Sequence, residues 1–197
     1  MKEDILEQLC EEYLQMIGYF TVCNVKFQPD KSDPDYEMQQ DAVASDVDVI
    51  GFDPRKSGPE QVMVCSCKSW QEGFFPKWEI KQIERKKIIL GREAWRHYSE
   101  LCSPKWATAL RRKIKDKTGR DEFVYCTVVT KIGDGESKDA WENYEPFKKV
   151  LGCPIRILTL NEMIDKLTPD IGTTVANSSI GRILQLLNAS GFIRKRA

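Results

Sequence analysis

At 197 residues, 41% hydrophobic and 30% charged, the chain is long enough for one substantial core and too apolar to be disordered. No apolar run approaches the ~20 residues of a membrane span, no basic-then-apolar leader opens it, and seven cysteines without paired spacing point to reduced thiols in a cytoplasmic protein. A net charge of zero conceals two poles: residues 1–60 carry 5 Lys/Arg against 14 Asp/Glu, and residues 68–120 carry 15 against 6.

In chain order, Ile5, Leu6, Leu9, Tyr13, Met16 and Ile17 recur at spacings of three and four, which predicts a helix from Lys2 to Gly18. Tyr19 to Phe27 alternates as a first strand. Gln28 to Ala44, acidic and interrupted by Pro29 and Pro34, predicts a loop. Ser45–Gly51 and Val62–Trp70 are short Val/Ile-rich arms around Asp53-Pro54-Arg55-Lys56-Ser57-Gly58-Pro59, the pattern of a β-hairpin with a long turn. Regular alternation would put Asp46, Asp48 and Ile50 on one face and Val47 and Val49 on the other. On the second arm it would set Val62, Val64, Ser66 and Lys68 against Met63, Cys65 and Cys67. The two thiols of Cys65-x-Cys67 then share a face, but no second pair or histidine cluster completes a zinc site, so they read as small buried hydrophobes. A carboxylate in mid-strand and a lysine at its neighbour's end would converge at one edge of the sheet.

Trp78 to Tyr98 reads as one long helix, eased at Gly91, with Lys77, Lys81, Gln82, Arg85, Lys86 and Lys87 on its polar face. It contains His97, the single histidine, which leaves no Ser-His-Asp triad. Ser103-Pro104 opens a helix ending near Gly119, with Trp106, Leu110 and Ile114 buried and Arg111, Arg112, Lys113, Lys115 and Lys117 around the rest. Two such basic helices side by side would meet a DNA backbone, with Lys81, Arg85, Lys86, Arg111, Arg112 and Lys115 as the contacts. Glu122 to Thr130 is the apolar run of a strand buried on both faces. A helix over Asp139–Leu151, a strand over Ile155–Leu160 and a short helix over Asn161–Leu167, capped by Asn161, follow. Thr168–Thr174 is a linker. Asn177–Ile193 is a capped amphipathic helix followed by Gly-Phe-Ile, before the basic end Arg194-Lys195-Arg196. The tail is too short for a complete winged helix, so it predicts a helix that packs on the main domain or on a second copy, making a homodimer a candidate assembly. The fold class is α/β (α+β-like): a central mixed β-sheet flanked by helices over residues 1–167, with a short C-terminal helical appendage over 168–197.

Asp48-Val49-Ile50-Gly51 followed by Cys67-Lys68-Ser69-Trp70 resembles the PD-(D/E)XK restriction-endonuclease-like superfamily, and within it the Mrr-type branch. The resemblance covers roughly residues 3 to 167. It implies a restriction-endonuclease-like core that hydrolyses DNA phosphodiester bonds with Mg²⁺ (or Mn²⁺). It further implies Asp48 as metal ligand, the Cys67 carbonyl as a second, Lys68 as catalytic lysine and Glu7 as auxiliary acid, with Gln82 or Lys81 contributing from the following helix. Ser66 stands where that branch has glutamate, and a neutral hydroxyl gives a divalent cation no Coulomb partner. On the same reading Ser66→Glu would project toward Asp48 without disturbing the core and restore the missing ligand. Two functions therefore stand: a metal-dependent endonuclease with an altered site, or a catalytically inactive nuclease-fold module that binds DNA or another partner.

Overall fold

The structure, a computed structural model, describes residues 4–168 and 178–193. The linker over 169–177 and the basic end over 194–197 lie outside the described residues. A five-stranded mixed sheet runs through the molecule in the order β1 (Phe20–Phe27), β2 (Ser45–Phe52), β3 (Val62–Lys68), β6 (Val124–Val129), β7 (Ile155–Thr159). The first three strands form an antiparallel meander, and β3, β6 and β7 are parallel. The predicted α/β class and hairpin are present. β6 is buried along its whole length, as expected of a strand covered on both faces.

Helices cover the sheet from two sides. On one side lie α1 (Ile5–Met16), α8 (Leu160–Leu167) and α9 (Ser179–Ala189). Leu6, Leu9, Cys10, Leu14, Met163, Ile180 and Leu184 pack there on Val49, Met63, Cys65, Cys126 and Val128 of the sheet. The C-terminal helix thus packs on the main domain, as one of the two predicted arrangements had it, and Phe192-Ile193 form no wing strand. On the other side α5 (Pro104–Thr118) and α7 (Glu145–Leu151) enclose Val62, Val64, Tyr125, Ile155 and Ile157 with Leu110, Ile114 and Phe147. Trp141, fully buried, makes edge-to-face contacts there with Phe74, Tyr98 and Phe147 at centroid distances of 4.8–4.9 Å, and its indole N–H donates to Thr127 at 3.0 Å.

Several boundaries differ from the sequence reading. The single long helix over Trp78–Tyr98 is instead α3 (Pro76–Glu84), a tight hairpin of β4 (Ile88–Ile89) and β5 (Arg92–Glu93), a 3-10 turn (Ala94–Tyr98) and α4 (Ser99–Cys102). Ile88-Ile89-Leu90 is a run of branched side chains without helical period, and Leu90 and Gly91 both take positive φ, the two-residue turn that suits a hairpin. The helix over Asp139–Leu151 is broken into α6 (Asp139–Glu142) and α7, the second carrying Pro146 in its first turn. The cap of α8 is Thr159, paired with Glu162 in a reciprocal capping box, not Asn161. The loop over Gln28–Ala44 contains α2 (Met38–Asp41), pinned because the buried Asp41 pairs with Lys105 at 2.7 Å and accepts the Trp106 indole N–H.

Candidate active site

The β1–β2 ladder is continuous except at Asn24 and Asp48, which face each other across it. Asn24 takes a left-handed φ of 55°, a conformation asparagine tolerates better than most residues. Regular alternation breaks at this point. Val25 and Val47 enter the core beneath α5, whereas Cys23 and Val49 face α1. Val47 and Val49 therefore do not share a face, and neither do Asp46 and Ile50. The β2–β3 pairing also ends at Val49–Cys65, and beyond it the Asp48 carboxylate takes over: Oδ2 accepts the Cys67 backbone N–H at 2.5 Å. Asp48 thus sits in the fork between two separating strands, beside the residue that precedes Lys68.

The start of α1 is tied to the same place. Asp4 caps the helix by accepting the Leu6 N–H at 2.8 Å, and its second oxygen accepts the Ser69 hydroxyl at 2.7 Å. That bridge lays the first turn of α1 on the end of β3 and brings Glu7 to Asp48. Burial raises the Glu7 carboxyl to about 7, with the charges of Asp48, Asp4 and Asp46 adding to it and Lys68 opposing. The helix N-terminus favours an ionised acid there, so burial and the neighbouring carboxylates outweigh the dipole. Asp48 is raised to about 6, again chiefly by burial and then by Asp46, while the Cys67 N–H and Lys68 pull it down.

Lys68 leans to the other side of the sheet, with Nζ 5.9 Å from the centroid of the Tyr98 ring. Glu79 of α3 faces it. This carboxyl is buried and raised to about 7 by that burial, against the stabilising pull of Tyr98 and Lys68. Glu79, not Gln82 or Lys81, is the residue of α3 that meets the lysine. Gln82 donates weakly to the Trp78 carbonyl at 3.4 Å, and Lys81 is exposed. Sequence reasoning passed over Glu79 because it stands among exposed lysines. The available signal was its spacing: Glu79 falls one residue before Ile80 and four before Ile83, next to the apolar stripe.

Ser66 is 4% exposed and does not face open space. Its hydroxyl neighbours that of Tyr125, which is fully buried and donates to the buried Glu100 carboxylate of α4. A glutamate at 66 would enter a dry pocket already holding a carboxylate, so the expectation that Ser66→Glu leaves the core undisturbed is not met.

The donor set bears on a divalent cation. Asp48 and Glu7 are two hard oxygen donors near enough for the charge of Asp48 to raise Glu7, each holding its proton more tightly than usual, a cost that a cation would relieve. Among the described residues no group of three or more Asp, Glu, His or Cys side chains is placed to hold a metal ion. Two carboxylates are the donor number that Mg²⁺ or Mn²⁺ takes from protein at sites where water and substrate phosphate supply the remaining oxygens.

The basic residues divide sharply. Lys81, Arg85 and Lys86 on α3 and just after it are exposed and make no ion pair among the described residues. On α5, Arg111 donates to the Leu151 carbonyl at 2.7 Å, Arg112 pairs with Asp30 at 3.1 Å and Lys115 with Asp121 at 3.0 Å. The two basic helices are not packed side by side: α3 packs on α6 and the 3-10 turn, and α5 on α4, α7 and β1. Arg111 reaches the loop that enters β7, at the end of the sheet away from Lys68.

No family model and no curated protein matches the chain. A solved structure described as "Protein of Unknown Function AF1548" is similar over 95% of this chain and 79% of its own, at 11% identity and a TM-score of 0.37, too low to carry an argument. No helix among the described residues is long and apolar enough to cross a membrane.

Proposed function

We propose that the chain is a DNA-binding phosphodiesterase of the PD-(D/E)XK type, dependent on Mg²⁺ or Mn²⁺, with Asp48, Glu7 and Lys68 at its centre. The observation that carries this reading is the fork between β2 and β3, where Asp48 is withdrawn from the ladder and meets Glu7 on one side and Lys68 on the other. A fold gains nothing in stability from two half-buried carboxylates that are both raised by burial and by neighbouring acids, so their convergence is better explained by chemistry. A bound cation would neutralise the two acids and polarise a phosphoryl oxygen. Lys68 places a positive charge where the phosphate gathers negative charge, and Glu79 beside it orients the ammonium group. Asp48 and Glu7 would hold the cation, with the Cys67 carbonyl as a further donor. The exposed Lys81, Arg85 and Lys86 receive the backbone on either side.

Supercoiled plasmid with Mg²⁺ or Mn²⁺ tests the reading. Wild type is expected to nick, and Asp48→Asn and Lys68→Ala are not. Nicking by Lys68→Ala at the wild-type rate overturns it. The second reading, a nuclease-fold DNA-binding module without cleavage, is favoured by Ser66, whose buried hydroxyl leaves the site one carboxylate short. DNA binding with no nicking in either metal decides for that reading.

A further inference from the structure

Residues 69–72 stay outside the core before Phe74 re-enters it. Ser69 and Trp70 open a concave groove of about 970 Å³, walled by Phe75, Trp78, Leu90, His97 and Glu79. Its rings are partly in water, Trp70 at 37%, Phe75 at 36% and Trp78 at 49%. Two of them are nonetheless fixed from behind. Trp70 lies on the buried Phe74 at 5.8 Å, which is itself packed edge-on against Trp141. Phe75 lies on Gly133, where a Cβ would come within 2.2 Å of the ring, so only glycine admits it. Aromatic faces held rigid and left uncovered, beside a site that handles phosphate, are platforms for planar groups.

Three further observations narrow the occupant. The lining carries Glu72, Glu79 and Glu136 and no lysine or arginine, so it suits the uncharged ring and amino groups of a base and turns the phosphates outward. In the groove wall His97 turns one ring nitrogen to the Ile89 backbone and leaves Nε2 buried without a partner. The groove also begins one residue beyond Lys68, within one nucleotide's reach of the scissile position. Bases paired inside a duplex cannot reach rings in a recess, so the base that does must be unpaired or turned out of the stack.

We infer that this groove takes an unpaired nucleobase stacked on the fixed ring of Trp70 and on the half-exposed Trp78 of the same groove, so that the substrate is single-stranded or locally opened DNA. The inference rests on the proposed phosphodiesterase reading and adds the form of DNA it acts on. The test is binding of wild-type protein, with Ca²⁺ in place of Mg²⁺, to an oligothymidylate of about 12 nucleotides, to an abasic strand of equal length and charge, and to a duplex of the same length. Stacking contributes ~1–3 kcal/mol per base, so the base-bearing strand is expected to bind about 10-fold or more tightly than the abasic strand. Trp78→Ala, at a half-exposed position, should erase that preference while leaving thermal stability and duplex affinity unchanged. Equal affinity for base-bearing and abasic strands, or a preference that survives Trp78→Ala, overturns the groove assignment alone. Failure to bind any of the three probes at low salt removes the phosphodiesterase reading and this inference with it.

Discussion

Replacing Asp48 by asparagine separates a site residue from a structural one. The amide oxygen can still accept the Cys67 N–H, so the fork between β2 and β3 should persist. What disappears is the charge. Asp48 is raised from 3.8 to about 6, mainly by burial, so its ionised form is disfavoured in the folded chain relative to the unfolded one. The sign follows from proton uptake: between those two values the native state binds more protons, and stability falls as pH rises. The penalty is absent below the unfolded value and complete above the folded one. Two pKa units correspond to ~3 kcal/mol, which partial solvent access reduces to about 1–2 kcal/mol. Asp48→Asn is therefore expected to melt about 3–6 °C above wild type at pH 8 without divalent metal, and level with it near pH 3.5. Glu7, relieved of a neighbouring charge, should titrate lower. Mn²⁺ should raise the melting temperature of wild type and not of the variant. An asparagine variant no more stable than wild type at pH 8 refutes the reasoning, because Asp48 would then be an ordinary structural acceptor.

Ser66→Glu places a second carboxylate beside Glu100 and Tyr125, and should cost roughly 3 kcal/mol or more in urea denaturation. Adding Glu100→Gln should recover part of that loss; no recovery would mean the pocket fails on volume and not on charge. Joint replacement of Lys81, Arg85 and Lys86 by alanine should weaken DNA binding and make its log–log salt dependence shallower by about 3, whereas an unchanged slope would place the phosphates elsewhere. Arg111→Ala, by contrast, should lower the melting temperature through its lost bond to the Leu151 carbonyl while leaving the salt slope intact. Thr159→Ala should cost about 1 kcal/mol through the α8 cap, measured by chemical denaturation.

Elements whose pattern is local and whose burial is uniform were legible in the sequence. The unbroken apolar run of β6 and the two Val/Ile arms of the hairpin could be read directly, since burial alone explains their composition. The region after Glu84 could not. Its lysines and isoleucines satisfy a helical wheel about as well as they satisfy a hairpin, and only the positive φ at Lys86, Leu90 and Gly91 decides the matter. The resemblance proposes Asp48, Lys68 and Glu7 as a set, but the bridge that lays α1 on the end of β3 was not legible, because Asp4 and Ser69 meet across 65 residues of chain. Arg111 shows the opposite failure. A cation counted as free by composition is consumed by a carbonyl 40 positions away.

The irregular pair at Asn24 and Asp48 has a consequence at the sheet's outer margin. β1 is an edge strand, and on one side it shows Phe20, 72% exposed, and Val22. An apolar edge of that kind invites a strand from another molecule to continue the ladder. Such pairing needs several consecutive residues to alternate in register, and at Asn24 the backbone turns left-handed and the faces exchange. An incoming strand matched to Phe20–Cys23 would be out of phase with Val25–Phe27. The kink that sets Asp48 free to face Glu7 thus also interrupts the template for self-association, and Asn24→Val, which favours a straight strand, should aggregate on heating sooner than wild type.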